Sequence, residues 1–481
     1  MIKRLITAFV IAVALSGAAA IAASETFVGC FAEPADGGNL DTRLSTFDGK
    51  TVVVVPRGHP SEALDGEVRW RNVLFAIRGM RGKNPTFALP LTSPGSGESI
   101  LAGNPISFHN IKLVWSYTAH SGTWHDFEST ARLGDDPATW EIESSNDVPF
   151  TKDIVYVSIN EHAPVEEFYG WLKADVFTHK FIRPTPSAIH PDSFVIGYQT
   201  GAPASDACSR AVPDMPLFGF VITDPAEHPT KLVMLVSGQH PYEGQNKVAL
   251  RAAVDWVLNS QSAEAKAYRA EYLTIVYPFV NPTGEMAGLW RGTAYQPSRD
   301  TNRNWNTTET NPLRDRGIDT VIIHKNAMNK DIAALGLGEP YAMFDYHQNF
   351  GDRESQLDYV LHSSFATLRT SEGPRGPKAV EFRPYFTRLA SRAAIASRTS
   401  DLGSPETLRG YMISRGVTLP ITFERSVYNT LASEQNFGVK TVQALVDTGT
   451  GLERPVPVEA FIATTTDSKQ TPNVAEGSVS H

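Results

Sequence analysis

Two textures follow one another along this 481-residue chain. Together they predict an α/β fold, a mixed central sheet with helices on both faces, preceded by an all-β sandwich-like domain. Short strand signals separated by turn residues fill the chain up to about residue 180. After about residue 190 strands alternate with helices, and the strands there are unbroken apolar runs. Such runs belong to strands covered on both faces, and strand–helix alternation feeds a parallel or mixed sheet. The chain is too long for one ordinary domain. Apolar residues make up 41% and charged residues 20%, a globular rather than a disordered composition.

Residues 1–23 read as a signal peptide. Lys3 and Arg4 give a positive start, residues 5–15 are apolar, and Gly17, Ala18, Ala19, Ala20, Ala22 and Ala23 supply the small residues before cleavage near Ala22 to Ser24. Export to a periplasm or to the medium is the expectation. The apolar run is short for a retained anchor, and no later stretch approaches ~20 apolar residues, so no membrane span is expected after cleavage. Phe27-Val28-Gly29-Cys30 is a weak match to a lipoprotein box, but Ser24, Glu25 and Thr26 interrupt the apolar run before it. The formal net charge of −9 argues against a general nucleic-acid binder, which carries a basic footprint.

The β-rich domain is placed at residues 24–180. Its strand candidates are 51–55, 68–77, 111–115 and 154–159, each bounded by Gly, Pro, Asp or Asn. Residues 182–187, with Pro184 and Pro186, read as a linker. The α/β domain is placed at 181–465. Residues 232–236 form a buried-strand run, and Leu250, Ala253, Val254, Val257 and Leu258 then recur at the spacing of one helical face. Further strands are expected at 272–277, 342–346 and 417–423, and the small polar residues 466–481 form a tail.

The residues that carry chemistry sit where those strands end. Ser237-Gly238-Gln239-His240-Pro241-Tyr242-Glu243 follows the first strand, and an H-x-x-E pair can turn an imidazole and a carboxylate onto one ion. By itself it is equally an exposed His beside a helix-terminal Glu. With only Cys30 and Cys208 in the chain, no thiolate-rich metal site is available, so any metal must take His and carboxylate ligands. Export permits those two cysteines to pair, though the sequence does not fix it. Asn281-Pro282-Thr283-Gly284 follows the second strand, then Leu289-Trp290-Arg291, then Asp300-Thr301-Asn302-Arg303-Asn304-Trp305. Arg303 beside an amide suits bidentate capture of a carboxylate, and the bland alternative is a surface ion pair. Phe344-Asp345-Tyr346-His347 and Thr422-Phe423-Glu424-Arg425 end two further strands, where a lone His or Glu is more often structural or solvated.

Taken in order over residues 190–460, these pieces resemble the zinc carboxypeptidases, the carboxypeptidase A-like metallopeptidases. The resemblance implies the zinc carboxypeptidase fold and one Zn²⁺ held by His240, Glu243 and His347, with Glu424 as general base. It further implies that Arg291 polarises the scissile carbonyl and that Asn302 and Arg303 hold the terminal carboxylate of a peptide or protein substrate. The His-Pro-Tyr-Glu ligand motif is similar to the His-Pro-Gly-Glu of the cytosolic branch, and residues 150–172 resemble the β-domain preceding the catalytic domain there. Three protein ligands leave a fourth position open, as catalytic zinc requires. The family also supplies a mobile tyrosine before the base, for which Tyr411 is the candidate. The segment selecting the terminal side chain holds Arg409 and Arg415 here, and a cation in that pocket would favour a terminal Glu or Asp. Arginines on a solvated loop are the other reading.

Two other functions stay open at this level. One is a zinc amidase acting on cell-wall stem peptides or acylated amino acids, and the other is an inactive binding protein on the same fold. No G-x-S-x-G elbow occurs, which sets aside a nucleophilic hydrolase.

Overall fold

The structure is a computed structural model. It describes residues 38–446 apart from 39, 41–43, 57–58, 61–67, 70–72, 91–111, 134–140, 204–210, 308–317, 350–357, 364–377, 401–405 and 428. The segment expected as a signal peptide, Cys30, Cys208 and the expected tail lie outside the described residues. Among the described residues no helix is long and apolar enough to cross a membrane.

The first unit is a β-sandwich. A five-stranded sheet runs in the order Thr46–Phe47, Thr51–Val53, Thr86–Pro90, Glu141–Ser145, Ser129–Leu133, and a four-stranded sheet in the order Leu74–Ile77, Val155–Ser158, Val114–Ser116, His125–Asp126. Alternating side chains face each other between them. Val52, Phe87, Leu89 and Ile142 from one sheet meet Phe75, Ile77, Val155 and Val157 from the other. The reverse face of the smaller sheet, with Leu74, Ala76, Val114 and Tyr156, is covered by Trp124.

The second unit is built on an eight-stranded mixed sheet. Its order is Ile182–Pro184, Phe220–Ile222, Tyr272–Tyr277, Lys231–Ser237, Ala342–Asn349, Leu419–Ser426, Tyr359–Ser363, Ala396–Ser400. The four strands from Tyr272–Tyr277 to Leu419–Ser426 are parallel, and antiparallel neighbours flank them on either side. Residues 182–187, expected as a linker, instead begin the outermost strand, paired antiparallel with Phe220–Ile222. Pro184 has no N–H to donate, which an edge strand tolerates.

Both faces of this sheet are covered, which is why its central strands are apolar throughout. Helices Asn246–Asn259, Leu431–Gln443 and Lys378–Arg392 pack on one face through Leu250, Val254, Val257, Phe437, Val442, Phe382 and Leu389. The helix Val165–Trp171 joins the same core, although it precedes residue 181. Helices Asp319–Leu335 and Leu408–Arg415 cover the other face with Val321, Met328, Ile332, Leu408 and Met412. From Lys231–Ser237 the chain goes first to one neighbouring strand and then back to the other. That reversal opens a crevice at the carboxyl ends of the parallel strands, where α/β sheets hold ligands.

Candidate active site

The H-x-x-E loop occupies this crevice. Leaving Lys231–Ser237, the chain turns at Gly238, whose φ is +71°. A Cβ there would stand 2.2 Å from the Phe279 ring, so only glycine makes the turn. His240 and Glu243 follow in a tight turn, the Glu243 N–H donating to the His240 carbonyl at 3.2 Å, before the helix Asn246–Asn259 begins. Beneath the loop, the fully buried Lys247 ammonium pairs with Glu285 and lies 5.2 Å from the Phe279 ring centre.

His347 and Glu424 arrive from the next two strands, where they are partners in parallel register. Both were expected at strand ends, and both lie within their strands, Ala342–Asn349 and Leu419–Ser426. Paired residues of adjacent strands point to the same side of the sheet, so the imidazole and the carboxylate share one wall of the crevice.

His240, Glu243 and His347 converge. Glu243 Oε1 is 2.7 Å from His240 Nδ1, and Glu243 Oε2 is 2.8 Å from His347 Nδ1. One ligand atom from each of the three lies within 4.8 Å of the others. All three are buried, and among the described residues they form the one such group of His, Cys, Asp or Glu side chains. Two imidazole nitrogens and a carboxylate are a borderline-soft donor set suited to a divalent transition ion.

A second ring of buried groups backs each imidazole. His240 Nε2 is 3.1 Å from Asp300 Oδ1, and His347 Nε2 is 3.2 Å from Asp345 Oδ2. Gln239 donates to both Asp345 oxygens at 2.9 and 2.8 Å, and Trp305 Nε1 donates to Gln239 Oε1 at 2.8 Å. A carboxylate behind a ligating histidine fixes its tautomer and orientation, which leaves Nδ1 for the ion. Asp300 and Asp345 had no role assigned from sequence. The signal was present, since Asp345 lies two residues before His347 on one face of a strand and Asp300 opens the run that contains Asn302 and Arg303.

The field at the centre favours a cation. Burial pushes the Glu243 carboxyl up, but His240 and His347 outweigh it and hold it below the usual range. Burial likewise raises Asp300, and Arg291 with His240 brings it well below. Burial opposes a charged His347, yet Asp345 and Glu243 hold its imidazole well above its ordinary value. Glu424 goes the other way. Burial first, then the negative charges of Glu243 and Asp345, push its carboxyl up to about 8 against the opposing pull of His347 and Arg291.

Three guanidinium groups surround this cluster. Arg291 Nη1 donates to Asp300 Oδ2 at 2.7 Å, which ties the arginine to the His240 side of the site. Asn302 accepts from the Leu408 N–H at 3.0 Å and has its amide nitrogen 3.4 Å from His347 Nε2. Arg303 donates to the Asn302 carbonyl at 2.9 Å and is partly open to solvent. Arg409 lies in the first turn of the helix Leu408–Arg415, a segment expected as a loop. It is only 4% exposed, its Nη1 has no hydrogen-bond partner among the described residues, and Glu424 and Asp345 are charges that act on it. Arg415 is elsewhere, paired with Glu339 at 2.8 and 2.7 Å. Tyr411 is also turned away from the cluster. Its hydroxyl donates to Asn329 at 2.7 Å, and its ring stacks at 6.3 Å from Trp305.

No family model matches the sequence, and no curated protein matches it. Solved structures do match. A metallo-carboxypeptidase from Burkholderia cenocepacia superposes with a TM-score of 0.63 over 88% of this chain and 98% of its own, at 15% identity. A metallo-carboxypeptidase from Pseudomonas aeruginosa, in complex with (2-guanidinoethylmercapto)succinic acid, superposes with a TM-score of 0.63 over 86% of this chain and 96% of its own, at 13% identity. The chain has the zinc carboxypeptidase fold. Both superpositions cover more of this chain than the mixed-sheet unit alone contains.

Proposed function

We propose that this protein is a zinc-dependent metallocarboxypeptidase that removes C-terminal residues, with a preference for acidic ones. The observation that carries the reading is the convergence of His240 Nδ1, His347 Nδ1 and Glu243 on one point, with Glu424 in register beside His347. Zinc held by these three would supply Lewis acidity and water activation near neutral pH. Glu424, in register with His347, would accept the proton of the attacking water and return it to the leaving amine. Arg291, oriented by Asp300, presents its remaining donors to the oxyanion that develops on the scissile carbonyl, an effect worth ~3–4 kcal/mol per donor in such sites. Arg303 would hold the terminal carboxylate. An internal peptide bond offers no such group, so cleavage is confined to the chain end.

The acidic preference rests on Arg409. A guanidinium buried without a full set of acceptors costs several kcal/mol, and a carboxylate entering the crevice would relieve it. The test is a mixed peptide pool incubated with the mature protein, with and without a zinc chelator, and analysed by mass spectrometry. A chelator-sensitive ladder of C-terminal losses, richest where Glu or Asp is terminal, is expected. Zinc bound with no peptide trimmed would refute the carboxypeptidase reading, and trimming indifferent to the last side chain would refute the role of Arg409.

A further inference from the structure

The core of the β-sandwich contains three side chains that do not belong to it in sequence: Tyr242, Trp290 and Val427, exposed by 5%, 3% and 0%. Each sits beside a different part of the candidate site. Tyr242 lies between His240 and Glu243, its ring stacked 6.0 Å from that of His240. Trp290 immediately precedes Arg291, whose guanidinium lies 4.9 Å from the indole centre. Val427 is three residues beyond Glu424, where its N–H closes the strand end on the Asn349 carbonyl at 2.9 Å. The polar connections repeat the pattern. The Glu161 carbonyl accepts from Gln245 just past the metal loop, and the Glu161 carboxylate accepts from the Leu431 N–H at the start of the helix Leu431–Gln443.

We propose that the β-sandwich is a working part of the metal centre. Tyr242, Trp290 and Val427 act as positioning residues that transmit the order of the sandwich core to His240, Glu243, Arg291 and Glu424. The physical reason is the placement of the anchors. The loop turning on Gly238 lies outside the helices and strands, and the large side chain between its two ligating residues is buried in the core of the other unit. The inference rests on the metal reading above, because it concerns how those ligands are held. It goes beyond that reading in assigning the sandwich a role in it.

Linkage supplies a test that does not depend on activity. Zinc at 1,000 times its Kd slows exchange by up to about 1,000-fold at every amide whose opening destroys the site. Hydrogen exchange of the full chain with and without zinc should therefore show the gain in Ala342–Asn349 and, equally, in Leu74–Ile77, Thr86–Pro90 and Val155–Ser158 of the sandwich. In Tyr242→Ala the gain should persist in the large sheet and fade in the sandwich, and Tyr242→Phe should restore it. Val427→Ala serves as the milder second variant should Tyr242→Ala not fold. Protection confined to the large sheet in the wild-type chain would overturn the coupling and leave the metal site standing. Zinc that protects neither unit would overturn the metal reading and this inference with it.

Discussion

Glu424→Gln separates the two demands placed on the carboxyl proposed as base, and the two effects run in opposite directions. In the metal-free protein the folded-state value of about 8 lies far above the 4.5 of a free glutamate. The sign follows from proton uptake. The folded state binds the proton more tightly than the unfolded state, so folding is unpenalised below about pH 4.5 and loses stability as pH rises toward 8. At about 1.36 kcal/mol per pH unit the full interval would cost roughly 5 kcal/mol. Glu424 is only partly buried, and screening by water in the crevice reduces this to roughly 2–3 kcal/mol. Glutamine carries no charge to bury. Urea unfolding of chelator-treated wild type and Glu424→Gln should give equal stabilities at pH 4.5 and a variant more stable by that amount at pH 9. The same variant, zinc-loaded, should lose about 10²–10⁴ in kcat, the usual worth of a general base. A stability difference that does not change with pH would refute the assignment of a partly buried, raised carboxyl. A variant with unimpaired turnover would refute its role as base.

The other expectations address separate parts of the molecule. Arg409→Ala should lower kcat/KM for substrates ending in Glu by about 30–150-fold, the equivalent of about 2–3 kcal/mol for a charged hydrogen bond, and leave terminal Ala nearly unchanged; steady-state rates on a matched peptide pair read this directly. Asp300→Asn should weaken zinc binding about 10–100-fold by releasing His240, measured by competition with a chromophoric chelator. Gly438→Ala should destabilise the fold by about 3 kcal/mol or more in denaturant titration. Its Cβ would stand 1.8 Å from the Ala249 carbonyl oxygen where helices Leu431–Gln443 and Asn246–Asn259 cross.

Much of the fold is legible in the sequence because both periodicities are strong. The run Leu232 to Val236 and the helical face Leu250 to Leu258 reappear inside Lys231–Ser237 and Asn246–Asn259. The segment around Ile182 misled because two prolines resemble a linker when nothing reveals that the strand has a neighbour on one side only. The segment holding Arg409 read as a loop because eight residues make a weak helical signal. Its cap, Thr407 accepting from the Gly410 N–H at 3.0 Å, and its stop at Gly416 with φ +93° appear once the backbone is known.

By itself the sequence determined which residues could do chemistry. Residue type fixes donor set, charge and nucleophilicity, and His240, Glu243, His347, Glu424, Arg291 and Arg303 were named through the resemblance of their ordered motifs to those of the zinc carboxypeptidases. Only the tertiary structure decided which groups meet. Strand register put Glu424 beside His347, although 77 residues separate their numbers. The fold brought Asp300 and Asp345 behind the two imidazoles, turned Tyr411 and Arg415 away, and buried Arg409 within the field of Glu424. It also put Tyr242, Trp290 and Val427 into the core of another unit. Each of these is a contact between segments distant in the chain, and such contacts are set by packing and register, which local periodicity does not encode.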